Sequence, residues 1–205
     1  SMLSDAQVLQ YEKDGYVIPD FRLPDDTLSE IRRAHVELIK NYPSFSDYCP
    51  ALLPLAPDFI SFARNAEILD MVSQLIGNNI ALWNMSFFAK PARIGSRTPW
   101  HQDGQYWPIR PLATCTVWIA VDDSTPENGC LQVISGSHKG KTLRQHQINN
   151  GPGLALNQEL RPADYDQSKA TKLALKAGQI SLHDVYLVHG SEPNRSDQPR
   201  RGMTL

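Results

Sequence analysis

A mainly β, α+β chain built on a double-stranded β-helix, the cupin-like jelly roll, or a related barrel, with helices packed outside it, is the fold this sequence predicts. Three observations predict it. Helical periodicity is confined to residues 3–79, whereas short strand-like runs fill 80–205. Those runs are rich in β-branched and aromatic residues and are separated by Gly, Pro, Asn and Asp, the texture of many short strands joined by turns. No linker, repeat or low-complexity tract divides the 205 residues, a length that suits one domain with a substantial core.

Ser1-Met2 reads as a tag remnant and is left out of the fold. Asp5 to Lys13 is a short helix capped by Ser4, with Val8, Leu9 and Tyr11 as its apolar side and Asp14-Gly15 as its stop. Gly15 to Phe21 is a brief strand. Pro24-Asp-Asp opens a second helix that runs to about Asn41, with Leu28, Ile31, His35, Leu38 and Ile39 at helical spacing. His35 is read as a packing histidine, since nothing at metal spacing accompanies it. Residues 42–58 carry four prolines and no period, so they form a loop, one able to cover an active site. Phe59 to Ile76 is helical, broken near Asn65, and ends at Gly77.

Strands are then expected over Ile80–Lys90, Ala113–Val121, Cys130–Ile134, Gln179–Leu182, Val185–Val188 and Arg201–Leu205. The chain stops inside the last of these, so its C-terminal end is expected to be incomplete. Between them, 139–176 is polar, with a mobile insertion expected over 149–153 and His146 in a loop. Pro126-Glu-Asn-Gly129 has the composition of a tight turn, and Asn194 suits a turn held by side-chain bonds to backbone.

Composition narrows the classes of partner. A net charge of −2 gives no general attraction to nucleic acid or to an anionic membrane. There is no long apolar run and no signal-like start, and the three cysteines lack metal or redox spacing. A cytoplasmic protein acting on a small molecule is therefore expected, with its oligomeric state left open.

The chemistry concentrates in Thr98-Pro-Trp-His-Gln-Asp-Gly-Gln-Tyr-Trp-Pro108. On a strand, His101 and Asp103 would face one side and Gln102 would point away or along the edge. A third ligand is then needed, and His189, where an apolar run breaks at Gly190, supplies it. Two histidines and one carboxylate on one face of an octahedral metal leave positions open, the arrangement of non-haem Fe(II) oxygenases. Arg200 follows across a polar turn. An inward guanidinium there needs an anion, and the far carboxylate of a chelating dicarboxylate is the right shape for it. Arg201 is the alternative, because only one of two neighbours on a strand can face inward.

At these residues the sequence resembles the phytanoyl-CoA dioxygenase family of Fe(II)/2-oxoglutarate oxygenases. The resemblance runs through Tyr11-Glu-Lys-Asp-Gly-Tyr-Val17, Phe88-Ala-Lys-Pro91, Trp100-His-Gln-Asp103, Trp118-Ile-Ala-Val-Asp-Asp123, Pro126-Glu-Asn-Gly-Cys-Leu131, Gly136-Ser-His-Lys139 and His189-Gly-Ser-x-x-Asn194 to Arg200. It implies that His101, Asp103 and His189 hold Fe(II), and that Arg200 and Ser191 bind the distal carboxylate of 2-oxoglutarate. It also implies that Gln102 and Trp118 line the co-substrate pocket, to which Ser86 is added, and that O2 is the other co-substrate. Relatives that halogenate carry a small residue in place of the carboxylate, so Asp103 implies hydroxylation.

For the substrate, Asn84, Ser86, Phe88 and Lys90 alternate along one strand face, and Gln105, Tyr106, Trp107 and Arg110 follow the metal pair. His183 lies six residues before His189, on the same side if the strand is unbroken. Arg110 suits a carboxylate, phosphate or phosphonate, and the rings of Trp83, Tyr106 and Trp107 suit an ammonium group. These point to a small polar or charged metabolite, such as an aminophosphonate or quaternary amine. Acyl-CoA hydroxylation stays open as a second enzyme reading, and a metal- or ligand-binding jelly roll without turnover, zinc included, as a reading of another class.

Overall fold

The computed structural model describes residues 2–106, 114–144, 146–149, 154, 156 and 158–205, with the backbone alone described at Gln105 and Tyr106. Helix α1 (Asp5–Asp14) starts in a capping box, Ser4 exchanging side-chain and backbone bonds with Gln7. It ends on Gly15, whose φ of 87° is the left-handed conformation glycine adopts without strain. Helix α2 (Asp25–Asn41) buries Leu28, Ile31, His35 and Leu38 as one stripe. Helices α3 (Ile60–Ala63) and α4 (Ala66–Ile76) are separated at Asn65, whose side chain accepts from Ile68 N–H at 3.0 Å and caps α4. Among the described residues no helix is long and apolar enough to cross a membrane.

The strands are β1 (Tyr16–Val17), β2 (Tyr48–Cys49), β3 (Ser86–Lys90), β4 (Thr98–His101), β5 (Cys115–Ala120), β6 (Leu131–Ile134), β7 (His146–Ile148), β8 (Gln158–Leu160), β9 (Ala170–Leu173), β10 (Ile180–Asp184), β11 (His189–Ser191) and β12 (Arg200–Thr204). A six-stranded sheet runs β1-β10-β5-β12-β3-β2, a four-stranded sheet runs β4-β11-β6-β9, and β7 pairs with β8 in a separate ribbon. Neighbours in the sheets are antiparallel, as in a jelly roll.

Strand alternation decides what each face of the larger sheet does. Phe87, Val117, Ile119, Ile180, Leu182 and Met203 join Leu28, Ile31, Ile68 and Met71 of the helices in the main apolar core. Their neighbours Ser86, Phe88, Thr116, Trp118, His183, Arg200 and Thr204 point the other way and wall a cavity facing the smaller sheet. The helices thus anchor one face and leave the other for chemistry.

Several expected elements differ. Of Ile80–Lys90 only Ser86–Lys90 pairs, and Gly15–Phe21 contributes just two strand residues. Val185–Val188 is not a strand: it is a turn in which Leu187 N–H bonds Asp184 O at 2.9 Å, so its apolar run marks burial rather than pairing. His146 opens β7 instead of sitting in a loop. Within the expected insertion over 149–153, residues 150–153 lie outside the described residues.

His35 is 2% exposed and stacks on Phe87 with ring centroids 4.0 Å apart, and its Nε2 has no partner among the described residues. Burial, then the nearby Arg201, pulls its pKa down to about 4 against the opposing pull of Asp122. The unfolded value is about 6.5, so the unfolded chain binds the extra proton between those two values. The contribution is present above about pH 6.5 and fades as pH falls toward 4, reaching about 2 kcal/mol lost at pH 5. His35→Leu removes that dependence. Urea unfolding at pH 7.5 and 5 should show a smaller acid loss in the variant, and equal losses would contradict this account.

Candidate metal and co-substrate site

Three chain segments bring the donor groups together. His101 is the last residue of β4, and Asp103 begins the 3₁₀ turn Asp103–Tyr106 that follows it. The period-two argument for this pair therefore does not hold, because the strand ends first. The carboxylate still turns toward His101, with Oδ1 3.3 Å from its Nε2. His189 opens β11, directly opposite His101 in the sheet, and its Nε2 is 3.1 Å from the same Oδ1. One ligand atom from each of the three lies within 4.8 Å of the others, close enough to share one ion.

Backbone bonds orient the two imidazoles. His101 Nδ1 is 2.7 Å from Pro99 O and His189 Nδ1 is 2.9 Å from Leu187 O. In a neutral ring an Nδ1–H donated to a carbonyl leaves Nε2 as the lone-pair nitrogen available to an ion, whereas a ring protonated on both nitrogens donates Nε2–H to Asp103. Burial pushes the Asp103 carboxyl up, but the His189 charge and hydrogen bonds from His101, His183 and His189 outweigh it and hold it well below the usual carboxylate range. Burial lowers His189, yet Asp103 more than offsets this and raises it, while burial and the His189 charge lower His101. Two imidazole nitrogens from buried histidines and an oxygen of the partly buried Asp103, all turned toward one point, form a donor set that suits Fe(II) and leaves part of its coordination sphere open.

The cavity is about 110 Å³, and its wall includes Tyr48, Ser86, Phe88, Trp118, Ser191 and Arg200 besides the three donors. Arg200 is 2% exposed. Its Nε donates to Gly129 O at 3.1 Å and an Nη to Phe88 O at 3.4 Å, and the guanidinium lies 5.3 Å from the Trp118 ring centroid. No carboxylate pairs with it among the described residues. Burial brings its pKa down only to about 10, so it stays cationic at neutral pH. Arg201 faces outward to Asp122, with Nε 2.8 Å from Oδ2, which decides between the two arginines in favour of Arg200.

Gly202 makes this wall possible. It sits between Arg200 and Thr204 on the inward side of β12, and a Cβ there would come within 2.3 Å of Trp118 Cζ2. The indole occupies the space a side chain would take.

A family model described as Phytanoyl-CoA dioxygenase (PhyH) matches residues 11–202. The chain belongs to that family. It is 34% identical over 164 residues, 79% of its length, to a phytanoyl-CoA dioxygenase domain-containing protein 1 homolog of Dictyostelium discoideum. It is 31% identical over 146 residues, 71% of its length, to a "Probable alpha-ketoglutarate-dependent hypophosphite dioxygenase" of Stutzerimonas stutzeri. The match spans 58% and 51%, respectively, of those relatives. Among solved structures, the non-haem alpha-ketoglutarate-dependent carbocyclase SnoK from nogalamycin biosynthesis superposes with a TM-score of 0.81. That match covers 98% of this chain and 82% of SnoK at 23% identity, so it supports the jelly-roll fold of the family.

The expected site residues divide in space. His101, Asp103, His189, Arg200, Ser191, Trp118, Ser86, Asn84 and His183 all line the cavity. Gln102 does not: it is fully buried on the other side, its amide donating to Thr142 O at 3.0 Å and Tyr186 O at 2.8 Å and accepting from Arg144 N–H at 2.6 Å. Lys90 does not either. It shares the strand face of Ser86 and Phe88, but its Nζ turns to the carbonyls of Ser96 and Glu192, and burial with nearby Arg200 pulls its pKa down to about 6. The Gln105 and Tyr106 side chains, Trp107 and Arg110 lie outside the described residues.

Two residues went unnoticed in the sequence. Tyr48, on β2, stacks on Phe88 with centroids 4.6 Å apart, and burial together with Asp103 pushes its hydroxyl up to about 12. Its proline-rich surroundings gave no periodic signal. Thr116 was readable, since it stands two residues before Trp118 on the same strand face.

Proposed function

We propose that this chain is an Fe(II)/2-oxoglutarate-dependent dioxygenase that hydroxylates an unactivated C–H bond of a small polar or charged metabolite, releasing succinate and CO2. One observation carries the reading: a buried arginine with no carboxylate partner among the described residues shares a small cavity with a convergent His-Asp-His set. A closed structural zinc site has no use for such a cation. A keto diacid does, at the end of the molecule away from the metal.

In this reading His101, Asp103 and His189 hold the iron. Bound Fe(II) supplies the redox chemistry, coupling decarboxylation of 2-oxoglutarate by O2 to oxidation of the substrate. Arg200 pairs with the distal carboxylate, Ser191 and Ser86 add hydroxyls beside it, and Trp118 lies over the guanidinium and limits water. Tyr48 and Asn84 form the wall left for the substrate. An aromatic wall with polar neighbours suits an aminophosphonate or a quaternary amine. The Stutzerimonas relative, named for hypophosphite, also takes its name from a small anion.

Acyl-CoA hydroxylation is a second reading with one observation in its favour. A cleft of about 400 Å³ lined by Ile80, Leu82, Trp83 and Val117 shares Asn84 and Leu205 with the cavity. Anaerobic addition of Fe(II) and 2-oxoglutarate should give a metal-to-ligand charge-transfer band, and a screen of aminophosphonates, quaternary amines and acyl-CoAs should raise succinate release. Absence of the band would remove the oxygenase reading. Succinate release with acyl-CoAs alone would select the second.

A further inference from the structure

We propose that Thr116 and His183 are positioning residues that hold Oδ2 of Asp103 and so leave Oδ1 as the one oxygen offered to the metal. This rests on the reading of His101, Asp103 and His189 as the ligand set. It decides the role of His183, whose place near His189 suggested a group that either supports the metal ligands or meets the substrate.

The carboxylate is divided between two jobs. Oδ1 lies 3.3 Å from His101 Nε2 and 3.1 Å from His189 Nε2. Oδ2 accepts from Thr116 Oγ1 at 2.8 Å and lies 3.1 Å from His183 Nε2. Thr116 and His183 are direct cross-strand partners in β5 and β10, so their side chains leave the larger sheet side by side and reach one oxygen together. Asp103 comes from the other sheet's connection. The clamp therefore ties the two sheets at the metal.

The hydrogen-bonding of the three imidazoles separates ligand from positioner. His101 and His189 each donate Nδ1–H to a carbonyl two residues earlier, which directs a lone pair from Nε2. His183 has no such tie, and its buried Nδ1 has no partner among the described residues. A neutral imidazole carries one N–H. On Nδ1 it would be buried unpaired while a lone pair faced the carboxylate; on Nε2 it is donated to Oδ2. The second arrangement makes His183 a donor to the carboxylate rather than a fourth ligand.

The backbone around Asp103 is fixed independently. Gly104 N–H bonds Val185 O at 3.0 Å, and the Gln102 side chain bonds Tyr186 O at 2.8 Å. With the main chain and Oδ2 both held, rotation of the carboxylate into two-oxygen chelation would break two hydrogen bonds. One-oxygen ligation keeps room on the ion for a chelating co-substrate.

The test uses the metal alone. Mn(II), standing in for Fe(II), is titrated into the apoprotein while the electron paramagnetic resonance signal of the free ion is followed. Thr116→Val, which keeps shape but loses the hydroxyl, and His183→Leu should each weaken binding by about 10- to 100-fold. Thr116→Ser and His183→Gln, which retain a donor, should stay close to the parent. Parent-like Mn(II) affinity in Thr116→Val and His183→Leu would overturn the inference, as would equal losses in the donor-retaining pair. Asp103→Ala separates this from the ligand assignment: if that variant loses the ion while Thr116→Val and His183→Leu keep it, the clamp alone fails. If it too binds as the parent does, the ligand set is wrong.

Discussion

Asp103→Ala should lose Fe(II) binding and, with it, every trace of 2-oxoglutarate turnover. Asp103 is the single anion among the three donors, and its Oδ1 lies between the Nε2 atoms of His101 and His189. Without it two neutral imidazoles remain, and a dication loses both a ligand and the one negative charge among its three donors. Removing a group that merely supports a ligand costs about 10- to 100-fold in metal affinity, so removing the ligand should cost more than about 100-fold. Asp103→Asn provides the informative comparison. It keeps the size and an oxygen acceptor but not the charge, so it should bind Fe(II) more weakly than the parent and more tightly than Asp103→Ala. Anaerobic metal titration and succinate release measure both properties. An Asp103→Ala protein that retains the charge-transfer band and turnover would remove the assignment, and circular dichroism guards against a variant that is simply unfolded.

The reasons some of this architecture could be read from residues, and some could not, are physical. Amphipathic helices announce themselves: the stripe Leu28, Ile31, His35 and Leu38 and the cap at Asn65 are local patterns with local consequences. Strand facing is also local once the strand is known: Thr116 and Trp118 share one face of β5, and Arg200 and Thr204 share one face of β12. The errors arise where tertiary contacts override local pattern. Val185–Val188 is as apolar as a strand, yet it is buried as a turn so that His183 and His189 both reach the cavity from different sheets. Asp103 was expected to share a strand with His101, and the 3₁₀ turn turns it inward instead. Lys90 follows the alternation of its strand, but its long side chain carries the ammonium away to carbonyls of residues 96 and 192. Side-chain reach is not encoded in strand period. Tyr48 shows the converse, a site residue whose only structural signal is pairing with distant Phe88. Pairing between segments so far apart leaves no mark on the loop's own sequence.

Arg200→Gln should raise the dissociation constant for 2-oxoglutarate by about 30- to 5,000-fold while leaving metal affinity unchanged, because breaking a desolvated charge pair from one side costs about 2–5 kcal/mol. Arg200 is buried, stays cationic at neutral pH, and spends two donors on the carbonyls of Gly129 and Phe88, leaving the rest of its fork for the cavity. Arg200→Lys keeps a positive charge but gives up the planar fork and its position over Trp118, so its loss should fall between those of the parent and Arg200→Gln. The readout is the 2-oxoglutarate concentration at half-maximal charge-transfer absorbance with Fe(II) held saturating. Because Arg200 also bonds across to β3, thermal unfolding of each variant separates a looser sheet from a lost carboxylate partner: a sheet effect would lower stability without moving the half-maximal concentration. Unchanged 2-oxoglutarate affinity in a folded Arg200→Gln protein would sink the assignment of this cation to the distal carboxylate, and would leave its burial opposite the metal donors without a chemical purpose.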